Sequence, residues 1–372
     1  MKVTPTIILS FLRSTPPREL PIKFYEAILN DYPTFLHLIA AFLLNFAPVV
    51  LWLALFKNAA LIPISWRPSI NVKWLPLADA ALFNPTSVPA VFFLPLYTTT
   101  TTLLFRSLRI SNKLFYMLTI LAIPTLNVLH YQVLTFDKSC FQDILTYTSY
   151  VLLHLIVPIV TAVYLYACHI PGVLSLYARC LGLQNIASIA THIALPSSPP
   201  WFVHINGLNA TADYSTLGYA AELARIDTEL GWHLVSNGFH KSPIVFGAFP
   251  SVHSGMAVCT FLFISWFSTL RILQILAAFF VVLQWWSTIY LDHHWRLDLL
   301  AGATYSLTAF ILLRYIWPDK FAKAEKSGYK KLSLDLEMQD LNSSTDSESE
   351  VGDDEEKERF NLPFLQRLFL QN

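Results

Sequence analysis

Histidine is scarce in this chain, eleven in 372 residues, and two short stretches set it beside groups that hold or move protons. VFGAFPSVHSGMAV (245–258) places His253 between two serines at the mouth of a long apolar run. STIYLDHHWRLDLLAG (287–302) places His293, His294 and Asp298 at the mouth of the next run but one. His294 and Asp298 stand one helical turn apart, so they share a face. A carboxylate beside an imidazole fixes its tautomer and stabilises the imidazolium, which makes the other ring nitrogen a better nucleophile. Pro250 and Ser251 have the character of a helix start, with Ser251 as its cap. A helix N-terminus offers free N–H groups to an anionic phosphate, and a histidine there can protonate a departing alkoxide. The chemistry this set fits is phosphoryl transfer through a phosphohistidine, from a lipid phosphate onto His294 and then to an acceptor hydroxyl.

Blander readings compete. A single interfacial histidine commonly does no more than sit at headgroup level, but three ionisable groups at matched positions argue against coincidence. His253, His293, His294 and Asp298 are also zinc-ligand types. No HExxH-like pair accompanies them, and no metal or other cofactor is expected. His293 falls away from Asp298 on the helical count, as a structural or headgroup-binding residue. Asp292 reads as a helix-start residue.

The elements that must position these groups are membrane helices. The composition is 54% apolar and 13% charged, about half the charge of an ordinary soluble domain. Eleven of the twenty-five acidic residues lie between Asp335 and Glu358, which leaves fourteen in residues 1–330. Apolar runs over 35–56, 114–134, 148–170, 250–268, 272–290 and 299–317 reach the length that crosses a bilayer. Two weaker ones cover 88–105, with its TTTTT, and 178–195, whose Gln184, Asn185, Thr191 and His192 must face other helices. The expected fold is therefore all-α: a polytopic bundle of six to eight transmembrane helices. His253 and His294 are 41 positions apart, which two spans and a tight turn at Arg271 consume, so a helical hairpin returns both to one face.

The flanking cations give the orientation. Arg106, Arg109, Lys113, Arg179, Arg271, Arg314 and Lys320 fall on one side, read as cytosolic; Lys57, Arg67 and Lys73 run against the scheme. The opposite side carries the sequon Asn209-Ala210-Thr211 and the loop 196–249. The expected organisation is a cytosolic segment 1–30 without a cleavable leader, a membrane catalytic domain 31–318, and an acidic, largely disordered cytosolic tail 319–372. The four cysteines are scattered and signal neither disulfides nor zinc. Nothing points to nucleic acid.

At the histidines the sequence resembles a known group. PSVHSG and STIYLDHHWRLD resemble the second and third signatures of the type-2 phosphatidic acid phosphatase superfamily, PSGH and SRxxxxxHxxxD, with His253, Ser287, His294 and Asp298 on matching positions. FGAFPSVHSG, ARID, PPW, NGLNATADYS and WRPSINVKWLPLAD resemble the catalytic subunits of fungal inositol phosphorylceramide synthases. That resemblance implies a six-helix lipid-phosphatase-like core. It also implies phosphoinositol transfer from phosphatidylinositol to the primary hydroxyl of ceramide, without a metal, on the lumenal side of the Golgi membrane. A small regulatory membrane subunit is implied as well. In that scheme His294 attacks phosphorus, Asp298 supports it and His253 protonates the diacylglycerol oxygen.

Two departures stand out. The first superfamily signature, KxxxxxxRP, is absent, and Thr288 stands where the third has arginine. Arg225, Lys241 and Arg296 are candidate replacements in phosphate binding, with Ser251, Ser254 and His293 as further substrate-binding candidates. Each cation has a bland alternative: Arg225 paired with Asp227, Lys241 solvated, Arg296 anchored at the interface. The loss of two cations suits a phosphodiester, which carries one charge where a phosphomonoester carries nearly two. The same histidines with water as acceptor would make a lipid phosphate phosphatase, and a non-enzymatic transporter or scaffold is the reading from another class. Trp285, Trp286, Tyr290 and Trp295 read by default as an interfacial aromatic belt, with lining of the headgroup zone as the functional alternative.

Overall fold

In the computed structural model the described residues are 34–84, 86–107, 118–168, 172–229, 231, 234–268 and 270–326. The segment 1–30, Arg109 and Lys113, and the acidic tail beyond residue 326 lie outside them. Among the described residues the chain forms fourteen α-helices and no strand. The membrane-length helices are α1 (Phe35–Asn58), α3 (Val88–Ser107), α7 (Val173–Ala194), α12 (Arg271–Tyr290) and α13 (Arg296–Ile316). A further long run joins α5 (Cys140–Tyr147), a π-helical turn (Thr148–Leu153) and α6 (His154–Cys168). Shorter elements are α2 (Trp74–Phe83), α4 (Ala122–Thr135), α8 (Pro200–Asn206), α9 (Glu222–Glu229), α10 (Leu234–His240), α11 (Val252–Phe267) and α14 (Pro318–Lys326).

The protein is a multi-pass membrane protein. Four stretches are long and apolar enough to cross a bilayer: Ile39–Leu61, Cys140–Tyr166, Arg271–Tyr290 and Arg296–Ile316. The α2–α3 pair, bent by 65°, makes a fifth if it counts as one span, in the region where the TTTTT run marked an irregular piece. Helix α11 is apolar but has only 16 residues. Helix α7 coincides with the weaker expected span 178–195, and Gln184, Asn185, Ser188 and His192 on it are all buried. It lies inside the bundle, packed on α1, α11 and α13, so its polar groups meet protein rather than lipid.

Lipid tails are as apolar as leucine, so helices in a membrane associate through close packing and buried hydrogen bonds. Both operate where α11 crosses α13. A Cβ on Gly302 would collide with the Ser251 carbonyl oxygen, and Gly255 faces the Gly302 carbonyl on the other side of the crossing. Ser306 Oγ bridges Gln184 and the Gly255 carbonyl, tying α7 to both helices. Because His253 lies in the first turn of α11 and Asp298 in the first turn of α13, this small-residue crossing sets the distance between the two stretches that opened the sequence reading. Helix α11 ends at Phe267 and Arg271 opens α12.

The long loop 196–249 folds back as a cover. Three extended segments are stitched together at its base: Asn71 to Pro196, Ser198 to Asn71, and Ser197 to both Phe246 and Ala248. The expected tail is corrected at its start. Residues 318–326 form α14, whose Phe321 and Ala324 are buried in the core, with Phe321 against Phe267 and Phe310. The spacing Phe321-x-x-Ala324 puts both on one helical face, a signal that the many charges of PDKFAKAEK obscured.

Candidate active site

Ser251 caps α11, its Oγ accepting from the Ser254 N–H at 3.3 Å, and its own N–H donates to the Asp298 carbonyl oxygen at 2.9 Å. The cap of one helix is thus bonded to the first turn of the other. His253 follows two residues later. His294 leaves the short connection between α12 and α13 and puts Nδ1 at 3.2 Å from Asp298 Oδ2. The same oxygen accepts from the Trp295 N–H at 3.1 Å. A carboxylate only accepts, so the proton of His294 sits on Nδ1 and the lone pair on Nε2. That Nε2 faces His253 Nδ1 at 3.4 Å, with ring centroids 5.5 Å apart. Burial pushes the His294 imidazole down to about 3, and a backbone hydrogen bond to Ala248 offsets part of the shift. At physiological pH the ring is therefore neutral, as a nucleophile must be.

The pair sits in a cavity of about 360 Å³ whose walls include Tyr150, His192, Gly247, Ala248 and His293. Its apolar end is formed by Trp52, Leu53 and Phe56 of α1 and Leu155 of α6. Leu53, Phe56 and Leu155 are also exposed on the outside of the bundle, so the cavity reaches the apolar surface of the spans. Among the described residues, none that lines it is lysine or arginine.

Five histidines line this cavity: His154, His192, His253, His293 and His294. Rings form a continuous column through it. Phe239 stacks on His293 (4.8 Å), His293 on Tyr150 (5.0 Å) and Tyr150 on His253 (4.2 Å), while His154 lies tilted against His253 at 4.6 Å. His192 Nε2 donates to the Pro250 carbonyl at 2.9 Å and steadies the loop before His253. His293 Nε2 donates to the Ala220 carbonyl at 3.1 Å, and burial pushes that ring to about 3. The π-helical turn, a distortion frequent at functional sites, carries Tyr150 and delivers His154 directly after it.

The other sequence candidates lie elsewhere. Arg225 binds Asp143 with both arms of its guanidinium, at 2.6 and 2.7 Å, and Tyr290 adds a hydroxyl bond to the same carboxylate. Asp227, the partner weighed for Arg225, instead caps α10 through the Val235 and Ser236 N–H groups. Arg296 is held by Asp79 at 2.7 Å and by Asn127, while the second Asp79 oxygen takes the Leu297 N–H. Arg225 ties α9 to α5, Arg296 anchors the start of α13, and neither lines the cavity. Ser254 Oγ donates to the Leu299 carbonyl and accepts from Trp285 Nε1, which occupies it in packing. Ser251 caps the helix, and Lys241 is exposed next to the lining residue Ser242. Of the six substrate-binding candidates, His293 is the one that lines the cavity. The tryptophan cluster is likewise tied up: Trp286 bonds Gln132 and Trp295 bonds the Ser198 carbonyl.

Tyr150 and His154 were missed in the sequence. An ionisable residue inside a span is a site candidate by default, and that signal was present at His154.

Comparison with known proteins follows the same lines. Residues 114–312 match the model of the PAP2 superfamily. The chain is 35% identical to Inositolphosphotransferase 1 of Saccharomyces cerevisiae, over 65% of this chain and 56% of that one. It is 32% identical to Inositol phosphorylceramide synthase of Candida albicans, over 76% and 50% respectively. It is 30% identical to the inositol phosphorylceramide synthase catalytic subunit of Schizosaccharomyces pombe, over 71% and 51%. The chain spans about half the length of the curated relatives it matches. No solved structure matches it.

Proposed function

The chain belongs to the PAP2 superfamily, and from that premise we propose that it is a membrane phosphotransferase moving phosphoinositol from phosphatidylinositol to the primary hydroxyl of ceramide, with release of diacylglycerol. The observation that carries the reading is the couple His294–Asp298 aimed at His253 across 3.4 Å, inside a cavity that reaches the lipid-facing surface. In this proposal His294 Nε2 attacks phosphorus and displaces the diacylglycerol oxygen, which takes its proton from His253. The phosphoinositol group is then bound to His294. His253 next accepts the proton of the ceramide hydroxyl as that oxygen attacks phosphorus, and His294 leaves. Asp298 stabilises the positive charge that the ring acquires in both steps.

That the described residues of the cavity wall include no lysine or arginine supports a phosphodiester donor over a phosphomonoester, whose greater charge needs cationic clamps. Water as acceptor is the less favoured alternative, since the cavity is predominantly walled by rings and aliphatic side chains. The proposal includes a Golgi membrane setting with the site lumenal and both termini cytosolic, and a small regulatory membrane subunit. Arg271 and Arg314 support the orientation, each at the helix end away from the histidines. The test is a mass-spectrometric product assay on purified protein with phosphatidylinositol and ceramide. Inositol phosphorylceramide and diacylglycerol in equal amounts support the reading; free inositol phosphate, independent of ceramide, refutes transfer.

A further inference from the structure

His154 is the cavity imidazole that the proposed chemistry leaves without a task. His192 and His293 each spend a ring nitrogen on a backbone carbonyl, His294 spends one on Asp298, and His253 faces His294. His154 Nδ1 is sealed from solvent and meets no hydrogen-bond partner. A buried polar atom left in that state costs stability, and such atoms in native structures call for an explanation. Its place is specific. The ring lies 4.6 Å from that of His253, and the next residue, Leu155, belongs to the apolar end of the cavity and to the outer surface. His154 therefore stands where an acyl-bearing molecule coming from the membrane would pass from its chains to its polar atoms.

We infer that the His154 ring, turned about its Cβ–Cγ bond so that Nδ1 meets the cavity it lines, holds the acceptor lipid by a hydrogen bond to the amide or hydroxyl that neighbours its reacting primary hydroxyl. The inference rests on the proposed function and deepens it. After the first step the donor's phosphoinositol group is covalently fixed, so the donor no longer depends on weak contacts for its position. The acceptor enters with its chains and its few polar atoms alone. His253 is engaged with the hydroxyl that reacts, and beside it stands the buried, unpartnered imidazole nitrogen of His154. A neutral imidazole nitrogen can donate or accept according to its tautomer, so it suits either group. Water and simple alcohols have no such second polar group on a long chain, and His154 would thereby discriminate against them.

The test separates the half-reactions in membranes containing the full chain. His154→Phe keeps a ring in the column and removes the nitrogen. Formation of the phosphoinositol-enzyme from labelled phosphatidylinositol alone should stay within about twofold of wild type, which also shows that the variant folds. The KM for ceramide should rise about tenfold, the loss expected for one buried hydrogen bond. His154→Asn, whose amide nitrogen can occupy the Nδ1 position, should recover part of the loss. An unchanged KM for ceramide, or an equal fall in both half-reactions, overturns the inference. Failure of the wild type to form any phosphoinositol-enzyme would instead remove the proposed function, and this inference with it.

Discussion

Asp298→Asn separates the chemistry of the site from its architecture. Oδ2 of Asp298 accepts from both His294 Nδ1 and the Trp295 N–H, while Oδ1 is buried without a partner. An asparagine placed with its oxygen at the Oδ2 position keeps both hydrogen bonds, the tautomer of His294 and the first turn of α13. It loses the negative charge. At 3.2 Å and an effective dielectric of about 20, a unit charge facing a developing imidazolium contributes about 5 kcal/mol. A neutral amide dipole recovers part of that, so the barrier should rise by about 4 kcal/mol, or roughly 10³-fold in rate. The assay is single-turnover formation of the labelled enzyme from phosphatidylinositol, alongside thermal unfolding in detergent. The unfolding temperature should stay close to wild type, because the cap survives. Asp298→Ala should lose the same rate and also about 1 kcal/mol of stability, through the uncapped Trp295 N–H. Full turnover in Asp298→Asn would refute the electrostatic reasoning.

Three further outcomes test the architecture around the site. Gly302→Ala drives a methyl into the Ser251 carbonyl; it should cost about 1–3 kcal/mol of stability, as overpacking does, and depress both half-reactions, read by thermal unfolding and the product assay. Arg225→Ala leaves Asp143 with Tyr290 but without its cation; allowing for the partial exposure of Arg225, it should cost about 1–2 kcal/mol while the KM for phosphatidylinositol stays unchanged, and Arg225→Lys should not restore the two-armed geometry. His204 pairs with Asp292 at 2.9 Å beside the site loop, and that hydrogen bond raises the imidazole above its usual range. The pair's contribution is full below pH 6.5 and fades as pH rises through the raised value, so His204→Ala should lower the unfolding temperature at pH 6 and have little effect at pH 9.

The parts of the site that are local in sequence were legible. The 41-residue interval predicted a hairpin, the Pro-Ser pair predicted the cap of α11, and the i to i+4 spacing predicted the His294–Asp298 couple. What stayed hidden depends on distant partners. Arg225 and Arg296 are charged residues near the motifs, which made them clamp candidates. Their carboxylates lie 82 and 217 positions away, and no local pattern names them. Tyr150 and His154 reach His253 because a π-helical turn shifts the register of a span, and apolar periodicity is blind to one extra residue per turn. Ser254 reads as a polar residue next to the key histidine; its burial against Leu299 and Trp285 follows from a helix crossing that two glycines permit.

The most direct measurement traps the enzyme during turnover with phosphatidylinositol labelled in its phosphate. The label should be found on a histidine, labile to acid and stable to alkali, in the peptide that contains residue 294. It should vanish in His294→Gln and persist or accumulate when ceramide is withheld. Label that survives in His294→Gln, or that behaves as a serine or threonine ester, would contradict nucleophilic attack by His294.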